Sequence, residues 1–147
     1  MITCKFEHGP IASLRHVVVN VIVFQDNKIL LVKRAENLPE GGKWGLPGGF
    51  MDRDETLVDA ARREVREETG YEINEVKLIR VIDNPQSPRE DRQNVTFIYS
   101  TNSAKKVAEG DEESSEVRWF TVDELPSEKE FAYDHFAEIQ RFLSHLD

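Results

Sequence analysis

Residues 57 to 69, Leu-Val-Asp-Ala-Ala-Arg-Arg-Glu-Val-Arg-Glu-Glu-Thr, constrain the fold more than any other stretch, because they spell a helix whose acids fall where a core should be. Ala, Leu, Arg and Glu dominate the segment and are strong helix formers, and Gly70 stands where such a helix stops. At about 100° per residue, Leu57, Val58, Ala60, Ala61 and Val65 share one arc, with Asp59, Arg62 and Arg66 opposite. Glu64 and Glu68 lie inside the apolar arc, and Glu67 lies on its edge.

Carboxylates one turn apart repel, and ionised ones buried without partners cost several kcal/mol each. A positive charge is therefore expected beside them. Arg63 can neutralise one; the remaining excess suits a hard divalent cation such as Mg²⁺, with Mn²⁺ as a substitute, bound through oxygen. The competing account is a charged surface helix laced by salt bridges between turns, which would place the acids with Arg62 and Arg66 instead. In the metal reading, Glu64 and Glu68 are direct ligands with Glu67 beside them, Arg63 orients Glu64 through a charged hydrogen bond, and Glu55 supports the loop or Arg63.

Around this helix the chain reads as one domain. At 147 residues and 39% hydrophobic content it can bury one real core and is too short for two ordinary ones. Residues 1–14 contain Gly9-Pro10 and no sustained period, so they read as an irregular or weak-strand arm and a candidate homodimer contact. The β-branched run His16 to Phe24, the turn Gln25 to Lys28 and the run Ile29 to Arg34 predict a hairpin whose first strand is buried on both faces. Asn20 within it reads as a satisfied sheet residue. Ala35 to Lys43 is a polar loop of the kind that covers substrates, and Gly45, Gly48 and Gly49 let backbone approach a phosphate or cation. Further strands are expected over 75–82, 94–101 and 117–120, with solvated acidic loop between Lys105 and Glu116. A C-terminal helix carries Phe131, Phe136, Ile139, Phe142, Leu143 and Leu146 as packing residues, with His135 and His145 at its surface or edge. A mixed sheet with helices on both sides follows, an α/β/α sandwich.

Composition narrows the partners. A formal net charge of −9 disfavours nucleic acid, which needs clustered Lys and Arg, while a small nucleotide brought in with a cation remains compatible. No apolar run approaches the roughly 20 residues that span a bilayer, and the start lacks a signal peptide's core; Cys4 alone forms no internal disulfide. A soluble, cytoplasmic protein without membrane partners is expected.

Residues 49 to 71 resemble the Nudix box, G-x5-E-x7-R-E-U-x-E-E-x-G-U with U bulky and apolar. Gly49, Glu55, Arg63, Glu64, Val65, Glu67, Glu68 and Gly70 match in register, and Tyr71 is aromatic where an aliphatic is usual. Trp44 to Gly49 is similar to the family's approach to the box. The resemblance implies the α/β/α fold over the whole chain, and metal-dependent cleavage of a nucleoside diphosphate linked to another group. It also implies a metal-ligating carbonyl, carried here to Gly48, and a further glutamate as base or ligand. Glu113 and Glu116 are the choices, Glu116 being counted with Arg63, Glu64 and Glu67 as catalytic. Asp83-Asn84-Pro85 with basic residues and a strand following is similar to the ADP-ribose branch, which makes ADP-ribose or a related dinucleotide or sugar nucleotide the expected substrate. Arg34, Trp44, Arg89 and Phe97 are the candidate pocket residues. The alternatives are a nucleoside triphosphate pyrophosphohydrolase that sanitises the nucleotide pool, and a non-catalytic domain that senses nucleotide.

Overall fold

The β-branched run beginning at Val17 becomes the middle of the sheet. In the computed structural model, which describes residues 1–86 and 91–146, strand β3 (Val17–Gln25) follows a hairpin of β1 (Ile2–Lys5) and β2 (Ile11–Leu14) and precedes β4 (Lys28–Arg34). β3 and β4 pair only next to their turn, through Phe24–Ile29 and Gln25–Lys28, and then diverge. Into the fork run β5 (Trp44–Gly45), paired with β4, and β6 (Gly48–Phe50), paired with β3. That wedge brings the glycine-rich segment to the middle of the molecule.

The chain continues through α1 (Leu57–Thr69), β7 (Tyr71–Ile73), β8 (Lys77–Ile82), β9 (Val95–Thr101), β10 (Ala104–Lys106), β11 (Ser114–Thr121) and α2 (His135–Leu143). The main sheet runs β11-β4-β3-β9-β8. It is mixed, because β9 lies parallel to β3 from Val17–Val95 to Val23–Thr101 while the other pairings are antiparallel. Alternation along β3 then assigns its two faces. Val19, Val21 and Val23 pack with Ala60, Ala61 and Val65 of α1; Ile22 packs with Ile29, Leu31, Phe131 and Ile139 on the α2 side. Both faces are covered, as an α/β/α sandwich requires.

Four local readings change. The N-terminal arm is a regular hairpin in register from Ile2–Leu14 to Lys5–Ile11. The acidic connection is shorter than expected: β10 pairs with β7, and β11 begins at Ser114. The C-terminal helix begins only at His135, since Phe131 is spent on a bridge to Trp44, with the Ala132 N–H donating to the Trp44 carbonyl at 2.8 Å. His135 is buried rather than peripheral. No described helix is long and apolar enough to cross a membrane.

Candidate active site

Two local devices hold α1 in place. Thr56 caps its start, the Asp59 N–H donating to Thr56 Oγ1 at 3.2 Å, and Gly70 ends it in the left-handed region at φ 71° with its N–H on the Arg66 carbonyl. A Cβ at Gly70 would lie 2.0 Å from the Ala108 carbonyl oxygen. This close approach lets the acidic connection hydrogen-bond to the helix end, through Val107 and Ala108 N–H to Gly70 and Asp111 N–H to the Glu67 carbonyl. Asp111 and Glu113 are thereby drawn toward the acids of α1.

Arg63 is the hub of those acids. Its guanidinium donates to Glu55 at 3.1 and 2.7 Å, to Glu64 Oε1 at 2.8 Å, to Glu67 Oε2 at 3.1 Å and to the Phe50 carbonyl at 2.9 Å. Planar, multidentate donation of this kind suits arginine and not lysine. The pairing with Arg63 holds the Glu55 carboxyl below its usual range and pushes the guanidinium's own pKa further up. Glu64 is raised in spite of Arg63, because burial outweighs the pairing.

Glu68 makes no such ion pair among the described residues. It is 6% exposed, it accepts a hydrogen bond from the Gly48 N–H at 2.9 Å, and burial pushes its carboxyl up to about 8, with Glu64 and Asp111 adding to the effect and the Gly48 N–H and Arg34 opposing it. Gly48 can present its N–H this closely because it has no side chain: a Cβ there would sit 2.1 Å from the Val19 carbonyl oxygen and 2.6 Å from Asn20 Oδ1. Glu64, Glu67 and Glu68, with Asp111 and Glu113, line one cavity of about 300 Å³. A wider hollow of about 680 Å³ follows Arg62, Arg66 and Asn74 on the outer side of α1 and includes neither Glu64 nor Glu68.

The donor set suits a hard divalent cation, since the cavity gathers carboxylate oxygens and one buried carboxylate, Glu68, makes no ion pair among the described residues. Among the described residues, no three His, Cys, Asp or Glu groups already meet around one point; Glu64 and Glu67 are turned to Arg63. Cation binding would therefore draw on the oxygens that Arg63 leaves free, Glu64 Oε2 and Glu67 Oε1, and on Glu68.

A model of the NUDIX domain matches residues 14–142. The chain belongs to the Nudix hydrolase family. Among similar proteins, the ADP-ribose pyrophosphatase of Methanocaldococcus jannaschii is 36% identical over 128 residues, 86% of this chain and 72% of that protein. The 8-oxo-dGDP phosphatase NUDT18 of Danio rerio is 32% identical over 107 residues, 70% of this chain but only 31% of that longer protein. Among solved structures, the NUDIX domain of Shewanella oneidensis NrtR complexed with ADP ribose has a TM-score of 0.76 at 28% identity, covering 92% of this chain and 91% of that one. A bifunctional NMN adenylyltransferase/ADP ribose pyrophosphatase from Francisella tularensis, complexed with AMP and a manganese ion, has a TM-score of 0.69 at 25% identity, covering 89% of this chain and 42% of that one.

The fold gathers most of the expected Nudix residues. Gly48, Arg63, Glu64, Glu67, Glu68 and Arg34 all line the cavity, Arg34 with its guanidinium 5.5 Å from the Tyr133 ring. Trp44 does not: it is 7% exposed and packs edge-on against Phe120 in the core. Phe97 also lies elsewhere, half-buried on the α1 face of β9 against the core, while its neighbour Thr96 reaches the cavity. Glu116 is exposed on β11 opposite Lys33, so the acidic connection contributes Glu113 and Asp111 instead. Arg89 lies outside the described residues; Arg92, three positions on, is in the cavity wall with its guanidinium 6.0 Å from the Phe50 ring. Asn20, Asn94, Tyr133, Asp134 and His135 also line it, and sequence reasoning gave none of them a role. The available signal was polarity at buried strand positions and an Asp directly before a helix.

Proposed function

We propose that the chain hydrolyses the phosphoanhydride bond of a nucleoside diphosphate linked to a second group, with ADP-ribose or a similar dinucleotide or sugar nucleotide as substrate. The observation that carries this reading is Glu68, a buried carboxylate facing a cavity of about 300 Å³, whose charge the Gly48 N–H and the Arg34 guanidinium offset less than burial penalises it. Glu64, Glu67, Glu68 and the Gly48 carbonyl would hold Mg²⁺ or Mn²⁺, which supplies charge neutralisation at phosphorus and a more acidic water. Arg63 fixes Glu64 and Glu67 for that task. Arg34 and Arg92, which also line the cavity, offer positive charge to the phosphates. Water attacks one phosphorus, the bridging P–O bond breaks, and the second phosphate departs with the bridging oxygen, giving two phosphate monoesters. Glu113, which lines the cavity and adds to the rise of Glu64, takes the proton from the water.

The likenesses to an ADP-ribose pyrophosphatase and to a domain complexed with ADP ribose support the substrate class. The likeness to an 8-oxo-dGDP phosphatase favours a second reading, in which a free nucleotide is trimmed. A substrate panel run with and without chelator separates them: AMP plus sugar phosphate supports the first, and a nucleoside monophosphate plus phosphate or pyrophosphate the second. Nucleotide binding without turnover in saturating Mg²⁺ or Mn²⁺ would make the domain a sensor.

The choice of base has its own test. Glu113→Gln is expected to lower kcat by about 100-fold, the size typical of a lost general base, with Glu116→Gln near wild type. The reverse ranking in steady-state kinetics would return the role to Glu116. Exposed Ile2, Phe6 and Ile11 of the N-terminal hairpin support a homodimer, which sedimentation velocity would detect.

A further inference from the structure

Asn20 and His135 are 115 positions apart in the chain and meet in the cavity wall, with Asn20 Nδ2 at 3.2 Å from His135 Nε2. The other ring nitrogen decides what that contact can be. Nδ1 lies 3.0 Å from the Leu46 peptide nitrogen, which can only donate, so Nδ1 is a bare acceptor. The ring is buried, and desolvation with Arg34 nearby holds its pKa down to about 4, so it is neutral. A neutral imidazole with a bare Nδ1 carries its proton on Nε2.

An Nε2–H and a carboxamide NH₂ cannot hydrogen-bond to each other, since both only donate. Carboxamide oxygen and nitrogen are told apart by their partners and not by shape. The arrangement that satisfies both groups turns the Asn20 oxygen toward Nε2–H and sends the NH₂ to the other arm. That arm abuts Gly48, where an added Cβ would be 2.6 Å from it. Two features make the ring's position a built one. Gly45 leaves room that a Cβ, 2.8 Å from Nδ1, would take, and Tyr133 holds a left-handed φ of 52° just before the helix that carries His135.

We infer that His135 fixes the Asn20 carboxamide with its NH₂ directed into the cavity beside Gly48, as a donor to a diphosphate oxygen of the substrate. The inference rests on the hydrolase reading above for the identity of the ligand, and on the hydrogen-bond network alone for the orientation. An uncharged donor there is useful because the adjacent wall is made of carboxylates that repel phosphate oxygens. Asn20 is the binding residue; His135 is a positioning residue that touches no substrate.

Two measurements test it. Nitrogen-15 NMR of the labelled, metal-free protein at pH 7 should show His135 protonated at Nε2 and bare at Nδ1; a proton on Nδ1, or on both nitrogens, would overturn the orientation. Titration calorimetry with ADP in the presence of Mg²⁺ should show Asn20→Ala binding about 10- to 100-fold more weakly than wild type, the loss of one hydrogen bond to a charged group. Its affinity for Mn²⁺ alone should stay within about threefold of wild type. His135→Asn retains an acceptor for the Leu46 N–H and removes the ring N–H, and for it the loss should fall in KM rather than kcat. Equal ADP affinity in wild type and Asn20→Ala, or a loss confined to Mn²⁺ binding, would refute the role of Asn20. Failure of the wild-type protein to bind ADP would refute the hydrolase reading and the ligand with it, leaving the NMR result to decide the orientation.

Discussion

Glu68→Gln is expected to cut turnover by at least about 100-fold, more than the 10- to 100-fold typical of groups that only support a ligand, while making the metal-free protein more stable at pH 8. The two effects have one cause. An ordinary glutamate titrates at 4.5, and Glu68 in the fold is raised to about 8 by burial. Between those values the folded chain holds a proton that the unfolded chain has released, so stability falls as pH rises, by about 1.4 kcal/mol for each unit crossed. Glu64 is shifted in the same direction. Glutamine keeps the shape and the Gly48 hydrogen bond but has no charge to bury. Melting curves from pH 5 to pH 8 should therefore fall for the wild type and fall less for the variant. Adding Mn²⁺ at pH 8 should raise the wild-type Tm and leave the variant's nearly unchanged. Turnover within about threefold of wild type would remove Glu68 from the ligand set; a variant less stable than wild type at pH 8 would show that its charge is already compensated.

Arg63→Ala should be strongly damaging to the metal-free fold. It removes five hydrogen bonds and leaves Glu55, Glu64 and Glu67 facing one another without their shared cation. Breaking a buried pair costs about 3–5 kcal/mol. With 26% of the Arg63 side chain exposed, a loss of roughly 2–3 kcal/mol is expected, read from urea midpoints. Arg63→Lys should recover only part of it, because an ammonium cannot span three carboxylates and a carbonyl. A divalent cation should restore more stability to Arg63→Ala than to wild type, since it then becomes the main positive charge in the cluster. Unchanged midpoints in Arg63→Ala would mean that the guanidinium contacts contribute nothing net.

These two residues also show where local and non-local information divide. The phase of α1 was legible because helical periodicity is set by neighbouring residues: Leu57 to Thr69, the Gly70 stop and the inward placing of Glu64 and Glu68 follow from a rotation of about 100° per residue. The buried run of β3 was legible for a similar reason, since dense β-branched residues suit a strand covered on both faces. Box spacing added Arg63 and Glu55, and the fold confirms that they meet.

What tertiary structure alone decided is which side chains from distant segments share the cavity. Trp44 and Phe97 had the chemistry of stacking residues, but aromatic rings fill cores as readily as pockets, and the pairing of β4 with β5 and of β3 with β9 set Trp44 into the core and Phe97, half-buried, against it. Glu113 and Glu116 are indistinguishable by composition; the bulge between Ser114 and Glu116 and the strand pairing of Glu116 with Lys33 separate them. His135 reads from the sequence as a surface or edge residue of the C-terminal helix, yet the bridge from Phe131 to Trp44 pulls that end inward until its ring meets Asn20. Periodicity, caps and box spacing are written in neighbouring residues, whereas a contact across 115 positions depends on how strands separate and pack.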